Sequence, residues 1–286
     1  MPLVTVVGTN ESGSVSASFN VTVNEPSGPN PADYGQVIAN QSFPSGLSLD
    51  GVTNRAYVNC TFGSMVQLRN CHHLLFLGGT RIGGAERGFK IRETGSPCSD
   101  VIFSGITIRD IQGDGFLISN QSGPHTGVQI MDCRLDNIGI APAAVGSGLV
   151  HGIYSWTEVY FARNRVTRCV GGNGVSLRGG GVVEGNWIAD CQKGGITYFG
   201  DHPAGPSNRY VIRGNAVTVP NPGGGYADIT LLTPPTASYR VGNFEIRDNV
   251  ITRPVMIGSG YGGAVITQSN NQIRTDAQVR ALFPAG

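Results

Sequence analysis

Charge is scarce in this chain: Asp, Glu, Lys and Arg make up only 14% of its 286 residues, and 20 basic side chains nearly balance 19 acidic ones, for a net charge of +1. Without an overall field or a Lys/Arg run, nothing draws it to nucleic acid or to an anionic membrane surface. No stretch approaches the roughly 20 apolar residues that cross a bilayer, so membrane insertion is not expected. The N-terminus also lacks the charged region and apolar core of a secretory signal. The chain is therefore expected to be either a piece of a longer exported protein or a component that reaches the outside by assembly into a virus particle. Its 6 cysteines show no CxxC pair and no Cys/His spacing of a zinc site. No phosphate loop, nucleophile motif or metal motif is present, so neither a metal nor a cofactor is implied; GDG at 113–115 and GNG at 172–174 read as turns before strands. Long apolar helical stripes are missing too, while Gly 43, Pro 16 and 40% hydrophobic residues favour many short strands joined by tight turns, an all-β chain.

What is present is a repeat. The segments YVNCTF, LGGTRI, FSGITI, IMDCRL, FARNRV, VEGNWI, IRGNAV and IRDNVI share an apolar residue, two variable ones, a small or polar one, a variable one and a second apolar one. The fourth place is held by Cys60, Thr80, Ile106, Cys133, Asn164, Asn186, Asn215 and Asn249, at spacings of 20, 26, 27, 31, 22, 29 and 34 residues, the period of a solenoid. A second, alternating strand follows most of them (VQLR, FKIR, FLIS, IYSW, VSLR, ITYF, ITLL, AVIT), which implies stacked parallel sheets about 4.8 Å from coil to coil and a rod of roughly 40 Å. Asn164 to Asn249 then read as a ladder whose amides bond one another and satisfy backbone groups at a bend.

Over residues 36–272 these repeats resemble the right-handed parallel β-helix, or pectate-lyase-like, superfamily. The resemblance implies a right-handed β-helix of about eight coils and leaves function open among polysaccharide lyases, glycoside hydrolases, epimerases, phage tailspikes and adhesins. Residues 1–24 alternate as two strands around Asn10 to Gly13 and resemble the last hairpin of an Ig-like domain of bacterial or phage surface proteins. A lone hairpin is marginal in water, so it is expected to serve assembly. Residues 25–35 read as a proline-rich linker held extended. Residues 33–50 are a candidate N-terminal cap, and residues 273–286, with helical character in IRTDAQVRAL, a C-terminal cap over the last coil.

Chemistry is sought on the outer face of the second strand type. Its outward side chains form one column of Gln67, Lys90, Leu117, Tyr154, Ser176, Thr197 and Thr230, and another of Arg69, Arg92, Ser119, Trp156, Arg178 and Phe199. Aromatic faces stack on sugar rings and guanidinium groups hold carboxylates, so Lys90, Arg92, Tyr154, Trp156, Arg178 and Phe199 are candidate contacts for an acidic glycan. Packing of the same aromatics under a loop or against a neighbouring subunit is the plain alternative. Insertions at 139–149 and 200–208 would wall a groove or cover a patch. Asp114, His151, Asp201 and His202 are the candidates for acid–base work, although an Asp in a Gly/Pro-rich loop is more commonly a turn residue. Arg134, Arg165 and Arg168 with Asp136 and Asp190 read as a surface ion-pair network on the other outward face. Cys169 and Cys191 fall at equivalent places in adjacent coils, within disulfide range, yet stacked neighbours rarely aim their side chains correctly; buried free thiols are expected.

The leading reading is a phage virion protein, tailspike- or fibre-like, located in the virion, with other virion proteins as partners, a symmetric homo-oligomeric state such as a trimer, and a host surface polysaccharide as ligand. The alternatives are a secreted, extracellular polysaccharide lyase or glycoside hydrolase, and a structural rod without a ligand.

Overall fold

The computed structural model describes residues 4–10, 13–19, 28–84, 86–92, 95–119, 123–141, 150–222, 225–232, 241–261 and 263–284. The chain divides into two compact units, Met1–Asn30 and Pro31–Gly286. In the first, Val4–Asn10 pairs antiparallel with Gly13–Phe19 in a register running from Val4 opposite Phe19 to Asn10 opposite Gly13, a hairpin as its alternation suggests. Residues 11–12 of its turn lie outside the described residues.

The second unit is a right-handed parallel β-helix. Each coil but the last, which gives two, contributes one strand in turn to three parallel sheets, with ten strands in the first and second sheets and nine in the third. The first sheet runs from Gln36–Ala39 to Val265–Ser269, the second from Ser42–Phe43 to Gln272–Ile273, and the third from Leu47–Asp50 to Met256–Ile257. The eight aligned repeats are thus joined by one coil at each end. Of residues 33–50, read as a cap, 36–50 are the first coil, paired strand for strand with the second.

Inside, like stacks on like. On the first sheet Tyr57, Phe76 and Phe103 lie in register, with ring centroids 4.9 and 5.1 Å apart. Phe89 and Phe116 of the third sheet meet this stack edge-on. Toward the other end Tyr198, Phe244 and Tyr261 repeat the arrangement, each offset or edge-on as ring quadrupoles prefer.

At the same place after the first strand of each coil stands a residue with positive φ: Asn40, Asn59, Gly78, Gly105, Asp132, Arg163, Gly185, Gly214, Asp248 and Asn270, all between 51° and 67°, with Gly79 adding a second in the third coil. This left-handed conformation accounts for the Gly, Asn and Asp enrichment there; Arg163 is the exception. The residue that follows occupies the ladder. Each ladder amide Oδ1 accepts the backbone N–H of the preceding coil, 2.8 Å for Asn164 to Asn186 and 3.0 Å for Asn186 to Asn215 and for Asn215 to Asn249, while each Nδ2 donates to a first-sheet carbonyl. The ladder extends past Asn249 to Asn271 and begins at Cys133, whose N–H donates to Asn164.

In the third coil the register differs by one residue from the sequence alignment. Thr80 pairs with Thr61 and Thr107, so Gly79 takes the ladder place and Arg81, not Ile82, faces the core between Phe62 and Ile108. A one-residue slip inverts both faces of a strand. Arg81 is completely buried and Ile82 is 43% exposed. Gly79 suits the place because any Cβ there would meet the Cys60 carbonyl at 2.2 Å.

Two flanks differ from expectation. Residues 25–27 of the linker lie outside the described residues; Pro31–Asp33 form a short 3-10 turn rather than an extended tether, and Tyr34 packs beside Ala56 and Leu75 and stacks on His73. At the other end the helix Asp276–Arg280 opens on a capping box of Thr275 and Gln278. It lies along the outer face of the second sheet rather than over the last coil: Asp276 bonds the Thr218 hydroxyl, Arg280 pairs with Asp190, Trp187 donates to the Leu282 carbonyl and Arg165 to that of Pro284. Val265 and Ile273 of the last coil stay 59% and 52% exposed. All six cysteines are buried and free; its neighbour Cys191, and after it burial, push the Cys169 thiol far up.

Candidate functional site

The strands of the third sheet are short and alternate, which fixes what they show outward. Lys90 pairs with Gln67 and with Leu117, Leu117 with Tyr154, Tyr154 with Ser176, Ser176 with Thr197 and Thr197 with Thr230, so the first outward column is continuous. One step further along, the Trp156 N–H donates to the Ile118 carbonyl at 2.8 Å and the Arg178 N–H to that of Ser155 at 2.7 Å, continuing the same register. Ser176, Thr197 and Thr230, although outward, are fully buried beneath connecting segments.

Tyr154, Trp156, Arg178 and Phe199 therefore come together, and Asp201 and His202 join them from the 200–208 segment. The Arg178 guanidinium is sandwiched, its Cζ 4.9 Å from the Tyr154 ring centroid and 4.1 Å from that of Phe199, and its Nη1 pairs with Asp201. Only 8% of Arg178 is exposed. Asp201 in turn accepts from His202 Nδ1 at 3.0 Å, and the His202 ring stacks on Trp156 at 4.5 Å. Burial works against the Asp201 charge, but His202 and Arg178 outweigh it and hold the carboxyl below its usual range. Burial raises the Tyr154 phenol and Arg178 partly offsets that.

The 200–208 segment is tied down on its other flank. Glu158 Oε2 accepts the Ser207 N–H at 2.9 Å, and the Gly205 N–H donates to Gly179 at 2.7 Å. Only glycine fits at 205, where a Cβ would stand 2.4 Å from that of Glu158.

Asp114 and His151 play a different part. Asp114, 2% exposed, accepts the His151 N–H at 2.8 Å and pairs with Arg87 at 2.9 Å, and burial raises its carboxyl. His151, also 2% exposed, accepts the Asn173 N–H through Nδ1 at 3.1 Å; burial, reinforced by the Arg178 charge, lowers its pKa to about 3. Both are struts behind Tyr154, whose ring the His151 ring meets edge-on. Lys90 and Arg92 share the face but stand in the third coil, separated from Tyr154 and Trp156 by the coil that carries Leu117 and Ser119. Residues 142–149, the larger part of the other insertion, lie outside the described residues.

Sequence reasoning missed Arg87, Glu158 and Tyr226, the last packed against Phe199 at 6.4 Å. Nothing in the strand pattern marks Tyr226, which arrives from a glycine-rich connection. Among the described residues no group of three or more His, Cys, Asp or Glu side chains is placed to hold a metal ion. Chemically the cluster is an aromatic face with an internally neutralised cation and one carboxylate–imidazole pair at its rim. Compared with family models, with curated proteins and with solved structures, the chain matches none. Its class is therefore defined by the fold and this face: a parallel β-helix with an aromatic–arginine cluster on the outer side of the third sheet.

Proposed function

We propose that the chain is the β-helical rod of a virion appendage, similar to a tailspike or fibre, and that it recognises a host surface polysaccharide on the outer face of its third sheet. The observation that carries this reading is the convergence of Tyr154, Trp156, Arg178, Phe199 and His202 from adjacent coils onto one lateral face. Aromatic rings of this kind offer sugar a stacking surface and polar tips together. A rod presents such a face beside a long polymer, and the hairpin, marginal alone, gives a reason for assembly with copies of itself or with other virion proteins.

Binding is favoured over catalysis by the geometry of the carboxyl groups. Glycoside hydrolysis ordinarily needs two of them about 5–9 Å apart across the scissile bond. Asp114 is buried and bonded on both oxygens, which among the described residues leaves Asp201 alone at the surface of the cluster. An acidic sugar reaches Arg178 only by replacing Asp201, so charge contributes less to recognition than stacking does.

The test is light scattering on the intact protein followed by binding to a panel of acidic and neutral bacterial polysaccharides. A stable oligomer that binds one of them, with Trp156→Ala weakening binding about tenfold, a loss of about 1.4 kcal/mol, is the expected outcome. A monomer that cleaves polysaccharide would establish the secreted-enzyme alternative instead.

A further inference from the structure

A groove of about 240 Å³ lies away from the aromatic cluster, on the outer face of the first sheet. Its floor is one outward column, Gln129, Tyr160 and Val182, held in register across three coils. Pro206 of the 200–208 segment lines it together with Glu158 and His125. The polar groups are largely committed in a way that leaves a defined remainder. The Tyr160 hydroxyl donates to Glu184, so the ring, not the hydroxyl, is offered to a ligand. Glu158 accepts from Ser207 through Oε2, and no described residue bonds its Oε1. The Gln129 amide makes no bond among the described residues, and His125 accepts the Cys98 N–H through Nδ1, which fixes it as a neutral imidazole. Among the described residues no Lys or Arg lines the groove.

We infer that this groove is a second sugar subsite, one that takes a single neutral or amine-bearing sugar ring stacked on Tyr160 with its polar edge toward Glu158 and Gln129. The volume lies below the roughly 300 Å³ at which pockets for larger organic ligands begin, so one ring is the fitting size. A lone carboxylate without a lysine or arginine beside it repels uronic acids and attracts a protonated amine. The inference rests on the glycan-binding reading and adds composition to it: the polysaccharide carries a neutral or amino sugar. The 200–208 segment serves both places, with Asp201 and His202 facing the aromatic cluster, Pro206 lining the groove and the Ser207 N–H holding Glu158 beside it.

The experiment is ligand-observed NMR of the full chain with glucosamine, N-acetylglucosamine and glucuronic acid, on the wild type and on the Val182→Trp, Gln129→Lys and Trp156→Ala variants. Val182 and Gln129 point outward, so both substitutions are compatible with the fold, and far-UV circular dichroism checks it. The wild type should bind one of the two hexosamines and not the uronic acid. Val182→Trp should lose at least tenfold in that affinity by filling the groove, and Gln129→Lys should shift preference toward the uronic acid. Hexosamine binding that survives Val182→Trp, a wild-type preference for the uronic acid, or no binding of any of the three overturns the subsite. Polysaccharide binding lost in Trp156→Ala but unaffected by Val182→Trp would overturn it while leaving the lateral-face reading intact.

Discussion

Asn186→Ala puts the energetic role of the asparagine ladder to a direct test. Asn186 is fully buried. Its Oδ1 accepts from the Asn164 N–H at 2.8 Å and from Asn164 Nδ2 at 3.0 Å, while its Nδ2 donates to the Phe161 carbonyl at 3.1 Å and to Asn215 Oδ1 at 2.9 Å. Asn164 Nδ2 keeps its bond to the Ile130 carbonyl in the variant. The group stranded is the Asn164 N–H, while the Phe161 carbonyl loses one donor but stays within its strand pairing; at about 1–3 kcal/mol for a buried unsatisfied group and about 1 kcal/mol for a lost hydrogen bond, the destabilisation is about 2–4 kcal/mol, less if water enters the vacated space. Asn271→Ala removes the terminal rung, where the residue is half-buried and water can take over its bonds, and should cost about 1 kcal/mol or less. Urea titration followed by circular dichroism compares the two midpoints at matched slope. Equal losses for the two variants would refute the idea that the ladder stabilises by satisfying backbone groups in the dry interior.

Two further predictions concern other buried polar groups. Arg81 is a fully buried cation that among the described residues bonds only the carbonyls of Ile82 and Gly83, and Arg81→Leu, matching its apolar column neighbours Phe62 and Ile108, should stabilise the fold by about 1–3 kcal/mol, read as a higher urea midpoint; a lowered midpoint would show that those carbonyls need the guanidinium. His151 stays neutral when folded, with its pKa lowered to about 3, whereas the unfolded chain takes up that proton near pH 6.5. The stability this group gives is complete above pH 6.5 and falls by up to about 1.4 kcal/mol per pH unit as pH drops from there toward the folded value. His151→Asn, whose amide can still accept from Asn173, should flatten the stability profile between pH 6 and 4.5, and an unchanged slope would contradict the assignment.

How much of this was legible depended on where a side chain was chemically indispensable. The left-handed turn and the ladder demand Gly, Asn or Asp at fixed places, so Asn164 to Asn249 announced the coils. The first and last coils escaped for separate reasons: Gln41 stands at the ladder place of one, and around Asn270 and Asn271 of the other the final strands, VITQS and QI, carry few apolar residues. In the third coil the consecutive glycines 78 and 79 give no side-chain cue to register, and the apolar Ile82 drew the alignment one residue away from the buried Arg81. At the site, alternation alone placed Tyr154, Trp156 and Arg178 together. It could not show that Asp201 neutralises Arg178, because that contact is set by the path of a connecting segment. Nor could it show that Asp114 and His151 bond each other, a pairing of residues 37 apart in sequence.

The most direct test of the central claim is a hydrogen–deuterium exchange footprint of the intact protein with and without its best-binding polysaccharide. Slowed exchange confined to residues 154–156, 176–178 and 196–208, on the lateral face and the segment beside it, is what the account predicts. Protection confined to the second sheet or to the exposed last coil, with this face unchanged, would contradict it.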